Sequence, residues 1–292
     1  MPASCPPIIV EAITGPAERA MTKTIPMSNA LERIISAKRN EVVASRNEVS
    51  LEQLKDTIDQ QDPPRRFLDA MLAGPAPRVI AEIKRKSPSA GVIREQFDPV
   101  DIARRYHEAG AAAISCLTDR EHFGGSLGFI RQIRDSVPLP VLRKDFIIDP
   151  YQVWQSRGAG ADAILLIAEA IDEALIRECV DTARGLGMTT LVEVHDRENL
   201  ESMLGLLGDP IEDDVLLGIN NRDLRTMTTS VTHTIELLEG VKDRTRIVSE
   251  SGIRNNDDVQ ALAGEDVNKV LVGECLLRQE DPGGALLELM GR

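Results

Sequence analysis

The stretch VIAEIKRKSPSAGVI, residues 79–93, ends an apolar run with Glu82 and Lys84, two positions apart. In an extended chain residues i and i+2 share a face, so a carboxylate and an amine project to one side above Ile80. The pattern recurs. Leu142, Lys144 and Phe146 alternate in VLRKDF, Leu191 and Glu193 in LVEV, and Asn220, Arg222 and Leu224 in GINNRDL. Two carboxylates and two amines gathered at one site shift one another's proton affinities, which leaves one group acidic and another basic at neutral pH. That equipment suits proton transfer to and from a small molecule, with Asn220 and Arg222 as further hydrogen-bond donors. Singly, each residue reads as a solvated loop charge, Asn220-Asn221 as a turn and KRKSPS as an exposed basic loop. The coincidence of position is what favours a site.

The elements that must hold these groups are eight apolar strand candidates: VIAEI (79–83), AAISCL (112–117), PVLRK (140–144), DAILLI (162–167), TTLVEV (189–194), VLLGI (215–219), RIVSE (246–250) and KVLVG (269–273). Each is separated from the next by enough chain for one helix and two turns. HEAGAAAI and RGAGADAI place glycines where a helix stops through a left-handed residue before the next strand. Eight such units predict an α/β fold, a (β/α)8 TIM barrel, in which the C-terminal strand ends form the working mouth. A doubly wound open sheet uses the same units, but the turn after its first strand usually carries a Gly-rich dinucleotide fingerprint, and here that turn reads KRKSPSAG. Asn29, followed by Glu32, and Leu31, Ile34, Ile35, Val42 and Val43 at roughly helical spacing predict an amphipathic helix ahead of the first strand. Residues 28–292 are expected to form one barrel domain including that helix, and the Pro-rich residues 1–27 an irregular or disordered extension.

After the seventh strand come Ser249, Ser251 and Gly252, and after the eighth Gly273 and Glu274 ahead of a short apolar helical stretch. Glycines and a serine at these two places let backbone N–H groups face a phosphate. The chain carries a formal charge of -13, which excludes the broad basic face that nucleic acid or an anionic membrane requires, so an anionic ligand needs a local cationic pocket. Cysteines at 5, 116, 179 and 275 are far apart and form no CxxC, so neither a metal site nor a disulfide framework is expected. No apolar run is long enough to span a bilayer, and a cytoplasmic protein is expected, as a monomer or weak homo-oligomer. His107, His122, His195 and His233 fall in no pattern that asks for catalysis, so surface or packing roles are expected for them.

With IAEIKRKSPS, FGGS, VLRKDFIIDPYQ, LVEVH, GINNRDL, SESGI and VLVGE in this order, the chain from about residue 29 to 290 resembles the indole-3-glycerol phosphate synthase family of tryptophan biosynthesis. The resemblance implies ring closure of 1-(2-carboxyphenylamino)-1-deoxyribulose 5-phosphate, with loss of carbon dioxide and water and without a cofactor. It implies Lys144 as the acid that protonates the ribulose carbonyl, and Glu82 as base and Lys84 as acid in the dehydration, with Glu193 supporting the lysine or sharing base duty. Asn220 would bind a sugar hydroxyl, Arg222, Lys84 and Ser87 the carboxylate, and Phe123, Phe146 and Leu224 would wall the anthranilate ring. Ser251, Gly252, Gly273 and Glu274 would seat the phosphate, the last pair through the backbone. Two other readings of the same residues are a Schiff-base aldolase using Lys144 or Lys84, and a non-catalytic barrel that only binds a phosphorylated ligand. The complete set of Glu82, Lys84, Lys144 and Glu193 speaks against the second.

Overall fold

A computed structural model describes residues 29–211, 214–222 and 228–292. The expected extension over residues 1–27 lies outside the described residues. Eight parallel strands close on themselves: β1 (Arg78–Ile83), β2 (Ala113–Leu117), β3 (Val141–Lys144), β4 (Ala163–Ile167), β5 (Thr189–Val194), β6 (Val215–Asn220), β7 (Ile247–Glu250) and β8 (Lys269–Val272), with β8 pairing back onto β1. They lie where the eight apolar runs predict them.

Alternation sorts each strand's residues between two cores. Val79, Ala81 and Ile83 of β1 face the outer layer of helices, whereas Ile80 faces the barrel interior with Leu142, Leu165, Leu191, Leu216, Val248 and Leu271. Branched aliphatics fill both layers, as parallel strands covered on both faces require. The helices start and stop by local chemistry. Asp98, Asp149, Asp172, Asp196 and Asp281 each accept a hydrogen bond from a first-turn backbone N–H of the helix that follows, each cap stabilising by about 1 kcal/mol. Gly110 and Gly160, at φ 86° and 95°, turn the chain from helix to strand through the left-handed region, as HEAGAAAI and RGAGADAI predict.

The segment ahead of β1 runs from one end of the barrel to the other. Helix α1 (Asn29–Glu48) lies over the C-terminal mouth, where Leu31 and Ile34 line the cavity, and α2 (Leu51–Asp59) packs on the helix Pro150–Gly158. Helix α3 (Phe67–Leu72) then puts the buried Phe67, Leu68 and Met71 into the interior cluster at the N-terminal end of the strands. The apolar stripe of α1 departs from expectation at one position. Val43 is 60 % exposed, and the buried face runs from Ile35 through Lys38, only 1 % exposed, to Val42. Among the described residues no helix is long and apolar enough to cross a membrane.

Candidate active site

In a barrel of this kind, alternate strands contribute the four side chains of each interior layer. Ile80, Leu142, Leu191 and Val248, from β1, β3, β5 and β7, form one fully buried apolar layer. Two residues further along the same strands stand Glu82, Lys144, Glu193 and Glu250. The reactive candidates are thus the next layer of the same stack, at the point where it opens to the mouth. All four line a cavity of about 540 Å³, together with Lys84, Ser87, Phe123, Phe146, Asn220, Arg222, Ser251, Gly252, Gly273 and Glu274. Every expected site residue therefore borders one space except Leu224, which lies outside the described residues.

Glu250 was not anticipated. Its segment stands out in the sequence through Ser249, Ser251 and Gly252, yet the alternation that places Glu82 above Ile80 equally places Glu250 above Val248. Glycines make room for these carboxylates. A Cβ on Gly218 would lie 2.1 Å from Glu250 Oε1, and one on Gly273 would lie 2.4 Å from Glu82 Oε1. Gly273 thus has a spatial duty toward Glu82 beside any backbone contact to phosphate.

Lys144 Nζ stands 2.9 Å from Glu193 Oε2 and 3.0 Å from Glu250 Oε2. Asn220 Nδ2 donates to Glu193 Oε1 at 3.1 Å, and the Lys84 ammonium pairs with Glu82 Oε1. Burial disfavours the Lys144 ammonium, but Glu193, Glu250 and Glu82 outweigh it and hold its pKa above the ordinary lysine value. The two carboxylates beside Lys144 diverge. Burial pushes Glu250 up to about 8, against the pull of Lys144 and with a further push from Glu193. For Glu193, burial is overcome by Lys144, by His195 and by the hydrogen bonds from Lys144 and Asn220, which bring it down to about 2. The two carboxyls of the pair are thus driven in opposite directions, Glu250 toward keeping a proton and Glu193 toward the anion, which is the division of labour that acid and base steps in one cavity require.

Around this layer the wall has two parts. Phe123 and Phe146 face each other with centroids 6.3 Å apart and form an apolar side. Arg222 Nη1 donates to Ser89 Oγ at 2.7 Å, which ties the end of β6 to the loop carrying Ser87. On the opposite rim Ser251 and Gly252 have φ of 65° and 74°, a turn after β7 that directs backbone toward the cavity. Glu274 is engaged by Arg278 at 2.8 and 3.0 Å, so its charge is matched within the protein.

A second set of charges anchors α1. Lys38 Nζ lies 2.8 Å from Asp145, 3.1 Å from Asp119 and 2.7 Å from Glu41. Asp145 also accepts from Thr118 at 2.5 Å and from Arg143 at 2.9 Å. Burial alone would raise the Asp145 carboxyl, but Arg143 and Lys38 hold it down at about 2. Asp119 accepts from the backbone N–H of His122, capping the short helix Arg120–Phe123 that presents Phe123. Lys38 therefore neutralises two acidic groups of the cavity wall and fixes the helix that covers it. His195 is packed into the same wall. Its side chain is only 8 % exposed and borders the cavity, with Nε2 3.4 Å from Glu193 Oε1.

Comparison with known proteins adds a direct signal. The family described as indole-3-glycerol phosphate synthase matches residues 31–289. Among curated relatives, the indole-3-glycerol phosphate synthase of Burkholderia vietnamiensis is 46% identical over 266 residues, covering 90% of this chain and 99% of its own. That of Acidithiobacillus ferrooxidans is 45% identical with the same coverage. Solved structures of similar shape include 3-hexulose-6-phosphate synthase from Salmonella typhimurium, with TM-score 0.57 and 16% identity over 73% of this chain and 97% of that one. Thiamine phosphate pyrophosphorylase from Pyrococcus furiosus gives a TM-score of 0.52 at 18% identity, over 73% of this chain and 93% of its own. At such identities these two speak for the barrel alone.

Proposed function

The chain belongs to the indole-3-glycerol phosphate synthase family, and on that premise we propose how the layer of charges at its mouth performs the reaction. The enzyme converts 1-(2-carboxyphenylamino)-1-deoxyribulose 5-phosphate to indole-3-glycerol phosphate, carbon dioxide and water, a carboxy-lyase step of tryptophan biosynthesis.

Ring closure requires the ring carbon that bears the carboxylate to attack the ribulose carbonyl. Negative charge then develops on the carbonyl oxygen, and a cation able to deliver a proton there lowers the barrier. Lys144 is that donor: its amine is held charged by Glu193 and Glu250, and a developing alkoxide is a stronger base than an amine. Carbon dioxide leaves next, its bonding electrons restoring the aromaticity of the ring. Dehydration then needs one group to accept a proton and another to protonate the departing hydroxyl. Glu82 and Lys84, already paired at the mouth, are the base and the acid, and Glu193 keeps Lys144 in place or shares the base duty.

Recognition follows the substrate's charges. Arg222, Lys84 and Ser87 receive the carboxylate, Asn220 a sugar hydroxyl, and Phe123 and Phe146 the aromatic ring. The turn Ser251-Gly252 and the backbone of Gly273-Glu274 receive the phosphate. Strong ground-state binding of the carboxylate would oppose its loss, so these contacts serve best as orientation. One observation carries the reading: Glu82, Lys144, Glu193 and Glu250 form a single layer over an apolar floor, with Lys84 beside them, in one cavity of about 540 Å³. The test is to incubate the purified full chain with the carboxyphenylamino-deoxyribulose phosphate, without added metal or cofactor, and follow indole fluorescence. Steady product formation is expected, and its absence at high enzyme concentration rejects the assignment. Borohydride with substrate present should trap no covalent adduct, whereas trapping would favour a Schiff-base route.

A further inference from the structure

Each ring nitrogen of His195 faces a carboxylate. Nδ1 lies 3.2 Å from Glu169 Oε2, and Nε2 lies 3.4 Å from Glu193 Oε1. The other oxygen of Glu169 accepts the backbone N–H of His195 at 2.8 Å, and His195 O meets His233 Nε2 at 2.8 Å, so the residue is fixed at its main chain as well as at its ring. A neutral imidazole has one N–H and one lone pair, and here the lone pair would point at a carboxylate oxygen. Only the ring that carries both protons satisfies both neighbours.

The charged groups around the ring agree. Glu193 comes from its own strand β5, Glu169 from the loop after β4 and Glu250 from β7, while Lys144 on β3 stands beyond Glu193 and the His233 imidazole meets the His195 carbonyl. Burial opposes a charged ring, but Glu169, Glu193 and Glu250 outweigh it and raise the pKa above the ordinary histidine value. Glu193 divides its oxygens in the same way, with Oε2 on Lys144 and Oε1 shared by Asn220 and His195.

We propose that His195 is a positioning residue for Glu193: clamped by Glu169, its doubly protonated ring holds Oε1 from behind and so keeps Oε2 on Lys144. The histidine acts through Glu193 and takes no part in bond making. This rests on Glu193 serving the reaction proposed above. When the ring loses its proton at alkaline pH, Glu193 loses a neighbouring positive charge and can turn away from Lys144.

The full-length enzyme tests this in two ways, one of them independent of turnover. The chain has four histidines, so the ring of His195 can be followed by heteronuclear NMR against pH without substrate, its signals assigned by their loss in His195→Gln. It is expected to stay doubly protonated past the pH at which ordinary histidines titrate, and to titrate earlier in Glu169→Gln. A ring neutral at pH 7, or one indifferent to Glu169→Gln, overturns the proposal. In kinetics, His195→Phe should lower kcat by about tenfold with KM changed by less than about threefold. His195→Gln keeps an N–H donor and should recover most of the loss. Equal losses in both variants, or none in either, would mean that the ring only fills space. Should the phenylalanine variant fail to fold, the NMR titration still decides. A chain without any synthase turnover would refute the functional reading and leave the titration legible.

Discussion

The two ends of the barrel are built from the same kinds of residue and balanced differently. At the base, Asp162 accepts the backbone N–H of Val141 at 2.8 Å and that of Arg65 at 2.6 Å and pairs with the Arg134 guanidinium. Arg65 in turn donates to the carbonyls of Val137, Leu139 and Arg134. Asp162 is thus held by three donors, and α3 seals the opening with Phe67, Leu68 and Met71. At the mouth one ammonium is shared between two carboxylates, and the second oxygen of Glu250 has no hydrogen-bond partner among the described residues, nor has Ser115 Oγ in the interior just below. The base surrounds one buried anion with three donors, whereas the mouth sets two buried carboxylates against one ammonium. The base is arranged to stay put, and the mouth to respond.

Breaking the base should cost stability and spare chemistry. Asp162→Ala leaves Arg134 buried without its anion and is expected to destabilise by about 3–5 kcal/mol, read from urea unfolding, with kcat per folded molecule unchanged. Breaking the mouth should do the reverse. Lys144→Ala should lower kcat by about 10² or more with a modest change in KM, and near-normal turnover would end its role as acid. Between these lies Gly218→Ala, where the new methyl meets Glu250 at 2.1 Å. An overpacked site typically costs about 1–3 kcal/mol, and turnover should fall with it because the carboxyl must move; a variant with wild-type stability and rate would show that Glu250 is freely mobile. The smallest effect sharpens the contrast through pH. Glu250 is raised from 4.5 to about 8 in the folded protein, so folded molecules bind a proton that unfolded ones release across that window. The stability it contributes is complete below about pH 4.5 and is lost as pH rises through about 8. Glu250→Gln removes that loss, so its urea midpoint should gain on the wild type between pH 5 and pH 9, and parallel curves would refute the assignment.

The strands and most of the reactive layer were legible because both depend on a period of two, which the residues display directly. Glu82, Lys144, Glu193 and Asn220 follow from counting along a strand, and the same count along RIVSE gives Glu250. Lys38 and His195 were not legible. A lysine on an amphipathic helix reads as solvent-facing until Asp119 and Asp145, which follow β2 and β3, are known to lie beneath it. His195 depends on Glu169, supplied by the neighbouring unit. Pairings across the barrel leave no local period, and only the closed fold reveals them. The plug at the base is illegible for a similar reason: α3 has six residues, too few to show a helical pattern, and its role comes from where it docks.

Because Glu82, Lys144, Glu193 and Glu250 project from the strands themselves, their mutual spacing is inherited from the wall of the cylinder and needs no ordering of any connecting segment. Several groups proposed to recognise the substrate sit instead on connections: Ser87 in the short hairpin of Lys86–Ser87 and Gly91–Val92, Phe123 on a four-residue helix, and Ser251 and Gly252 in a turn. On the proposed roles, acceptance of a molecule and proton traffic are therefore largely separable, the exceptions being Lys84, just past β1, and Asn220, at the end of β6. Grafting new connections onto this mouth beyond Lys84 would change which compounds enter while leaving the strand-borne layer in place.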